Sequence, residues 1–546
     1  MSNYKYNLSL LLLVLFFGLD LGAQNNGLPT GEVDVIDEFD ARLIDAERFV
    51  VNPVLPPLDT ARKRMNYIIN GKALQVQYLP PRITPRRFSS PTMDPTYNGY
   101  IRAGAGLPRA IYLDGAYDLS NERSPLAFGF DLFHYSANND NKVENQKFSN
   151  SLVNINGAYH NDFGFSIDGD LGYKRDIVHF YGYNDLDDDF VGELTYAEDD
   201  VKQIFSTIYA KAQLRNNQPT VADIDYGADI DFYNLQDNYA ARETGFRLSG
   251  EMTKWFEERH PINAKVIVDF TNYQDTASQN LNNFFFQPSY AYHGDRFRVK
   301  VGVNLASHQD KFYVFPDIEA AANFIDNILT AFVGAKGDLY KNNFQNLTNY
   351  NPFLSSRVPI RNSFNNRYYG GIKGQVIGID YRVEASYEDV DNLALFTNNL
   401  DSIPRFNVVY DTANIVTLAA EVSAPLFENF ELIGSFAQRV YSTSSNDKAW
   451  HLPSLTLNVG ASYKLLDEKL TVRGDLFVEN GVPVPTADGS KNLNGLLDLN
   501  GSAEYMFSEN IGGFVRVNNL LNNRRQRWRH YPTFGLNALV GVTAKF

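Results

Sequence analysis

A regular alternation of apolar and polar side chains runs from residue 97 to the last residue of this 546-residue chain. The final segment shows it clearly, with the apolar set Phe534, Leu536, Ala538, Val540, Val542, Ala544 and Phe546. Successive side chains of a β-strand point to opposite faces, so this spacing predicts two-sided strands. The alternating segments span about 10 to 14 residues, which exceeds the five or six residues of an ordinary globular strand.

The links between these segments alternate in length. Ten short turns alternate with eleven longer or more variable loops, which predicts 22 strands. An even number of strands, with short turns on one rim and long loops on the other, is typical of outer-membrane barrels. We interpret residues 389–412 as one loop. If Arg405 to Tyr410 formed a strand instead, the count would become about 20 or 24.

A closed sheet follows from the cost of unpaired backbone in hydrocarbon, where an open strand edge is not tolerated. The predicted fold class is therefore all-β: a closed, transmembrane, antiparallel β-barrel of about 22 strands (20–24), with a short Pro-rich N-terminal segment. Phe546 is the expected barrel-closing residue. Val301, Leu457 and Val542 are expected to face lipid, and Thr456 to face the lumen. The alternative is a soluble β-sandwich, which would also alternate.

The chain divides into three parts. Residues 1–23 have the layout of a cleavable signal peptide, with Lys5 before an apolar run and small residues at its end. Residues 24–96 hold nine of the 23 prolines and form a segment that is either periplasmic or inserted in the lumen. The second half of this segment is basic, and opposite charges on the lumen wall could hold it there. Residues 97–546 form the barrel.

Composition excludes several functions. The net charge of -15 disfavours a nucleic-acid partner, which requires a Lys/Arg excess. There is no cysteine, so disulfides and thiolate metal sites are impossible. The eight histidines follow no metal-ligand spacing, and no GxSxG or phosphate-binding loop is present, so we expect no metal site, no cofactor and no enzyme activity.

Charged residues supply the candidate sites. The lumen-charge candidates are Asp168, Asp170, Asp223, Asp225, Asp229, Asp231, Arg296, Arg298 and Lys300. The outer-loop basic candidates are Arg524, Arg525, Arg527 and Arg529, whose guanidinium groups could pair with lipopolysaccharide phosphates or simply balance acidic loops. An acidic stretch from Asp185 to Asp200 offers oxygen ligands for Ca²⁺ but lacks EF-hand spacing, which favours a solvated loop.

The run Gly513 to Asn523, the loop with Tyr531-Pro532 and the last strand to Phe546 resemble the ending of TonB-dependent receptor barrels. The start of the barrel, Tyr97 to Gly106, resembles a group of plugless barrels of this kind. The match departs from the family at the N-terminus, because residues 24–96 are too few for the family's plug, so plug loops and a TonB box are not carried over.

The resemblance implies a multi-pass protein of the outer membrane, in contact with outer-membrane lipid and lipopolysaccharide. It also implies insertion by the barrel assembly machinery through the C-terminal strand, and a periplasmic or outer-membrane partner protein. The expected function is to pass or bind a polar solute. The alternative is a non-transporting structural subunit of an outer-membrane assembly or export complex. Because 22 strands enclose a wide bore, something must fill it in either case.

Overall fold

The computed structural model describes residues 97–120, 124–161, 164–186, 194–218, 220, 222–399, 403–486 and 488–546. The predicted signal peptide and the Pro-rich segment lie outside these residues. Within them, 22 strands form one antiparallel sheet, and four short strands form two small hairpins in the loops. The strands are β1 Gly99–Leu107, β2 Ala110–Asp118, β3 Leu126–Asn138, β4 Lys147–Asn161, β5 Phe165–His179, β6 Lys202–Asn216, β7 Ile224–Asp237, β8 Arg242–Phe256, β9 His260–Gln274, β10 Ser278–His293, β11 Phe297–His308, β12 Lys311–Ile325, β13 Leu329–Asn342, β14 Arg361–Val376, β15 Ile379–Asn399, β16 Arg405–Phe427, β17 Phe430–Thr443, β18 Leu455–Leu465, β19 Leu470–Asn480, β20 Pro483–Thr486, β21 Gly489–Asn492, β22 Leu496–Met506, β23 Ile511–Asn518, β24 Gln526–Trp528, β25 Tyr531–Pro532 and β26 Asn537–Lys545.

The sheet closes on itself between its first and last strands. β1 pairs with β2 on one side and with β26 on the other, in a register that sets Ala103 opposite Val542. The Gly99 amide donates to the Phe546 carbonyl oxygen at 2.8 Å, and the Phe546 amide donates back at 3.0 Å. At Gly106 a Cβ would lie 1.8 Å from the Ala538 carbonyl oxygen, so this seam requires glycine there. The predicted closed 22-strand barrel is confirmed.

The two faces of the wall differ in chemistry. Val301 and Val542 project outward with 55% and 59% of their surface exposed, as part of an apolar belt around the barrel. The opposite face carries cross-strand ion pairs such as Arg102 with Glu504, 3.2 Å apart. A closed sheet with an apolar outer face and a polar inner face satisfies every backbone group inside a bilayer. The chain is therefore a multi-pass outer-membrane barrel.

Helices are few and short: a 3-10 turn at Tyr181–Asp185, a helix at Glu198–Val201 and a helix at Phe344–Tyr350. Within the described part of the chain, no helix has the length and apolar character needed to cross a membrane as a helix.

The connections are asymmetric, as predicted. One rim carries ten short turns together with Gly99 and Phe546, and the other carries the long loops. Short turns face the periplasm in barrels of this type, so the long loops form the outer mouth. The prediction that residues 389–412 form one loop was wrong. β15 and β16 extend into this segment and pair up to Asn399 and Arg405, and the strand count stays at 22 because both ends belong to strands already counted.

The two faces should respond differently to a charge. Val301→Arg places a guanidinium in the lipid belt and should lower the free energy of unfolding by about 2–4 kcal/mol near the midplane. Asn458→Arg, on the inward face, is the matched control and should cost little, because its guanidinium stays in a polar environment. Thr456 is a poorer control because Arg439 already donates to its hydroxyl at 3.3 Å. Urea unfolding in detergent or lipid measures both costs, and equal losses would mean that the faces are reversed.

Candidate functional site: the outer mouth

The inward face of the barrel is lined by charged side chains that pair across strands. Arg215 on β6 meets Asp229 on β7 at 2.6 Å, and Lys300 on β11 meets Asp317 on β12 at 2.9 Å. Arg298 pairs with Glu319 at 2.9 Å one step lower on the same strands. The wall is therefore polar along its height, and few of its charges are left without an opposite charge nearby.

Most of the lumen-charge candidates lie on this wall. Their register places Asp168, Asp170, Asp225, Asp229, Asp231, Arg298 and Lys300 on the inward face. Two candidates lie elsewhere. Asp223 occupies the short turn before β7 with φ of 50°, and Lys254 lies 3.7 Å from it. Arg296 lies in the short turn before β11, at the periplasmic rim, because the β11 strand begins one residue later.

The longest hairpin of the barrel reaches over the outer mouth. β15 and β16 have 21 and 23 residues, and their pairing shifts between Val390 and Leu393, where Asn392 adopts φ of 59°. A β-bulge of this kind bends a strand pair. Beyond the bend the hairpin continues for seven residues, a reach of about 20 Å at about 3.3 Å per residue.

The tip of this hairpin contacts the far side of the barrel. The Arg405 guanidinium, at the start of β16, lies 4.7 Å from the ring centroid of Phe180, which follows β5. β5 and β16 are the fifth and sixteenth strands of a ring of 22, so they stand on opposite sides. The contact therefore spans the mouth.

A second loop enters the mouth from the β13–β14 connection. Its helix, Phe344–Tyr350, begins on Glu243, a fully buried carboxylate of β8. Glu243 accepts hydrogen bonds from the Phe344 amide at 2.6 Å, the Gln345 amide at 3.0 Å and the Tyr233 hydroxyl at 2.8 Å. A carboxylate at a helix N-terminus satisfies amides that have no partner within the helix. Glu243 thereby fixes the helix to the inward face of the wall.

The loop between β23 and β26 joins these parts together. Its Tyr531 is 2% exposed, and its ring lies 5.1 Å from Tyr181 and 3.8 Å from Phe353, centroid to centroid. The Tyr531 hydroxyl donates to the carbonyl oxygen of Pro404, the residue before β16. Tyr531 therefore contacts connections from opposite sides of the barrel. We call the described residues of 180–186, 343–360, 393–411, 449–454 and 526–532 the loop cap.

The loop cap has a dry core with a buried ion pair. Phe344, Leu354 and Phe406 have no exposed surface. The Arg527 Nε lies 2.6 Å from the Glu479 Oε1, and the two side chains are only 7% and 5% exposed. Arg527 also donates to the His451 carbonyl oxygen at 2.9 Å and to the Tyr350 hydroxyl at 2.6 Å. Both charges are therefore compensated inside the loops.

His451 lies beside this ion pair with no exposed surface. Its Nδ1 faces the Phe396 carbonyl oxygen at 2.6 Å, so we assign the proton to Nδ1, and its ring stacks on Trp528 with centroids 5.5 Å apart. Burial lowers the pKa of His451 from its usual value to about 3. The closed cap therefore holds a neutral imidazole.

The outer-loop basic candidates do not all face outward. Arg527 is enclosed by the cap, so its guanidinium is not available to a phosphate at the surface. Arg529 is half-buried and donates to the Pro485 carbonyl oxygen, whereas Arg524 is exposed and Arg525 is partly so.

The acidic stretch is described only in part, since residues 187–193 lie outside the described ranges. Asp185 accepts a hydrogen bond from Gln526, and Glu198 pairs with Lys147 at 2.9 Å. Among the described residues, no group of three or more His, Asp or Glu is arranged to hold a metal ion. The described acidic side chains thus serve contacts within and beside the cap.

With the architecture established, similar solved structures place the fold. The ferric-catecholate import receptor Fiu from E. coli K12 matches with a TM-score of 0.62 at 10% identity, over 83% of this chain and 82% of that one. The siderophore receptor PirA from Acinetobacter baumannii matches with a TM-score of 0.60 at 12% identity, over 82% and 80%. The ferripyoverdine receptor of Pseudomonas aeruginosa matches with a TM-score of 0.59 at 11% identity, over 83% and 72%.

These neighbours are outer-membrane receptors, and at such identities the likeness establishes a shared fold. This chain is thus a closed barrel of the outer-membrane receptor type, as its C-terminal motif suggested at the level of fold. No protein-family model matches the sequence, and no curated protein matches it.

The sequence gave no direct sign of the cap contacts. The carboxylate of Glu243 looked like one of many alternating polar residues, and Arg527 looked like part of a basic surface loop. Two signals pointed toward the cap: the alternating run Arg405 to Tyr410, and the aromatic residues Trp528 and Tyr531 among charged neighbours.

Proposed function

We propose that the protein is a gated receptor-type barrel, which binds a polar solute at its outer mouth and lets it pass when the loop cap opens. The observation that carries this proposal is the position of Tyr531, which ties the connections next to β5 and β16 together across the mouth. Below the cap, the ion-paired inward wall suits a polar solute because it offers hydrogen-bonding groups along the whole path.

The closure is built from loops and one hairpin extension, whereas the wall is built from continuous strand pairing. Loop contacts can be broken without opening the sheet, so the cap is the part of the molecule that can move at modest cost. The similar structures are receptors whose names state siderophore or ferripyoverdine ligands. For this chain we propose only the broader class, a polar solute, because the inward wall is what supports it.

Planar-bilayer recordings test the proposal. Wild-type protein should show few openings, and Tyr531→Ala should show frequent ones, because it removes the side chain that joins both sides of the mouth. Replacing residues 394–409 by a short Gly-Ser turn should give steady conductance. Tyr340→Ala is the matched control, since Tyr340 is 60% exposed and lies outside the cap.

Each recording is repeated on protein lacking residues 24–95, which tests the expectation that the basic half of this segment enters the lumen. Conductance that appears only when both the cap and this segment are altered would mean that two barriers act in series. Silence in every combination, with the barrel still folded, would contradict a gated path.

The second candidate function is a non-transporting structural subunit. The feature that favours it is the burial of Arg527 and Glu479, because a cap with a dry ionic core resembles a permanent closure. Proteins that co-purify stoichiometrically with a silent barrel would support this alternative.

A further inference from the structure

Neighbouring short turns of the periplasmic rim differ in chemistry along the ring. The turns that join β12–β13, β14–β15, β16–β17 and β18–β19 carry exposed apolar side chains: Ile325 at 52%, Ile377 at 95%, Phe427 at 55% and Leu466 at 63%. The turns that join β8–β9 and β10–β11 instead carry charged residues, namely Glu257, Glu258, Arg259, Asp295 and Arg296. We call the first group the apolar rim.

Local backbone conformation does not account for the apolar rim. Ile377 has φ of 54° and is followed by Gly378 with φ of 78°, the left-handed pair of a tight hairpin turn. Asn, Asp or Gly suit the first of these positions, and a β-branched residue is disfavoured there. The isoleucine at this tip therefore stabilises something other than the turn itself.

The apolar outer face is also taller on this side of the barrel. On β12 every outward position from Phe312 to Phe324 is apolar, a span of about 30 Å at about 3.3 Å per residue and a tilt of about 40°. On β7 the outward apolar run goes from Ile224 to Phe232 and ends at Asn234, a span of about 20 Å by the same geometry. The outer belt thus differs in height by about 10 Å around the ring.

The apolar rim continues this belt without a polar break on β14 and β15. Outward residues Ile372 and Val383 lie opposite each other at 41% and 39% exposure and lead down to Val376 and Ile377. The bilayer already covers the upper part of that face. Continuity with the lipid-facing surface identifies lipid as the occupant of the lower part.

We propose that the apolar rim, from the β12–β13 turn to the β18–β19 turn, is inserted in the periplasmic leaflet of the outer membrane and binds lipid, while the charged turns between β8 and β11 remain in water. A barrel with an uneven apolar belt meets a bilayer of uniform thickness by tilting or by thickening the leaflet locally. The rim is then a lipid-binding surface that sets the orientation of the barrel.

The natural lack of cysteine makes a direct test possible. Ile377→Cys and Ile325→Cys are each labelled with an environment-sensitive fluorophore, in full-length protein reconstituted into phosphatidylcholine vesicles. Asp295→Cys is the matched control in a charged turn, with its native side chain 93% exposed. Folding of each variant is checked by heat-modifiable gel mobility.

The expected result is a blue-shifted emission at positions 377 and 325 that falls several-fold in vesicles of acyl-chain-brominated lipid, with little quenching by iodide. Position 295 should show the reverse. Water-like emission at 377, or equal quenching by brominated lipid at 377 and 295, would overturn the proposal. Protection of 377 from both brominated lipid and iodide would also overturn it, because a protein surface rather than lipid would then cover the rim.

Discussion

Glu479→Leu should destabilise the closed loop cap by about 3–5 kcal/mol, because it leaves the buried Arg527 guanidinium without an opposite charge. The barrel wall should stay folded, since its strand pairing does not depend on this contact. Hydrogen exchange of the amides in residues 526–532 should rise by two orders of magnitude or more, and bilayer recordings should show openings that the wild type lacks. Both readouts follow the cap, so they should change together.

The double variant Arg527→Leu with Glu479→Leu separates loss of the pair from loss of packing. Replacing both members of a buried ion pair by apolar residues is often neutral, so the double variant should recover most of the protection. Glu431→Leu, at an exposed position of β17, controls for removal of one negative charge. If the double variant exchanged as fast as Glu479→Leu, the ion pair would not be the source of the effect.

Acidification should loosen the same cap through His451. Burial lowers the pKa of His451 to about 3 in the closed cap, whereas an exposed imidazole titrates near 6.5. A lowered pKa means that the closed state is favoured most above pH 6.5, and that this stabilisation is lost as the pH falls from 6.5 toward 3. At pH 5 the loss is on the order of 2 kcal/mol, which corresponds to a rise in cap opening of about 30-fold.

The measurement compares hydrogen exchange and conductance at pH 7.5 and pH 5. The charged and titratable groups around His451 are Arg527, Arg529, His530, Glu479 and Tyr350, so the assignment needs a variant. His451→Phe keeps an aromatic ring beside Trp528 and should remove most of the pH dependence. His160→Phe, at an exposed position of β4, should leave it unchanged. A steep pH response that persists in His451→Phe would assign the effect to another group.

The fold could be predicted because its signals are local and repeated. Alternation needs only neighbouring residues, and each hairpin adds another sample of the same pattern, so the strand number and the sidedness of Val301 and Val542 follow without any long-range contact. The extension of β15 and β16 beyond the wall escaped prediction for the opposite reason. Past the bulge at Val390, the hairpin is buried by loops rather than by lipid, so the two-faced pattern that marks a wall strand is weaker there.

The cap could not be predicted because its contacts join distant parts of the chain. Glu243 meets Phe344 about a hundred residues later, and Arg527 meets Glu479 from a different loop. A charge in a loop sequence reads as solvated unless its partner is known, which is why Arg527 looked like a surface group. The charges on the wall were easier, since Asp229 and Lys300 follow the alternation of their strands, whereas Asp223 and Arg296 sit in turns where the alternation stops.

The hydrogen-bonded seam between β1 and β26 has a consequence for biogenesis. The strand that completes the ring is made last, more than four hundred residues after its neighbour, so the cylinder cannot form while synthesis is under way. Until the final nine residues arrive, the first strand presents an unpaired edge that invites aggregation. The nascent polypeptide must therefore cross the periplasm unfolded and protected, and a stop codon just before Asn537 would yield an open sheet in place of a slightly smaller barrel.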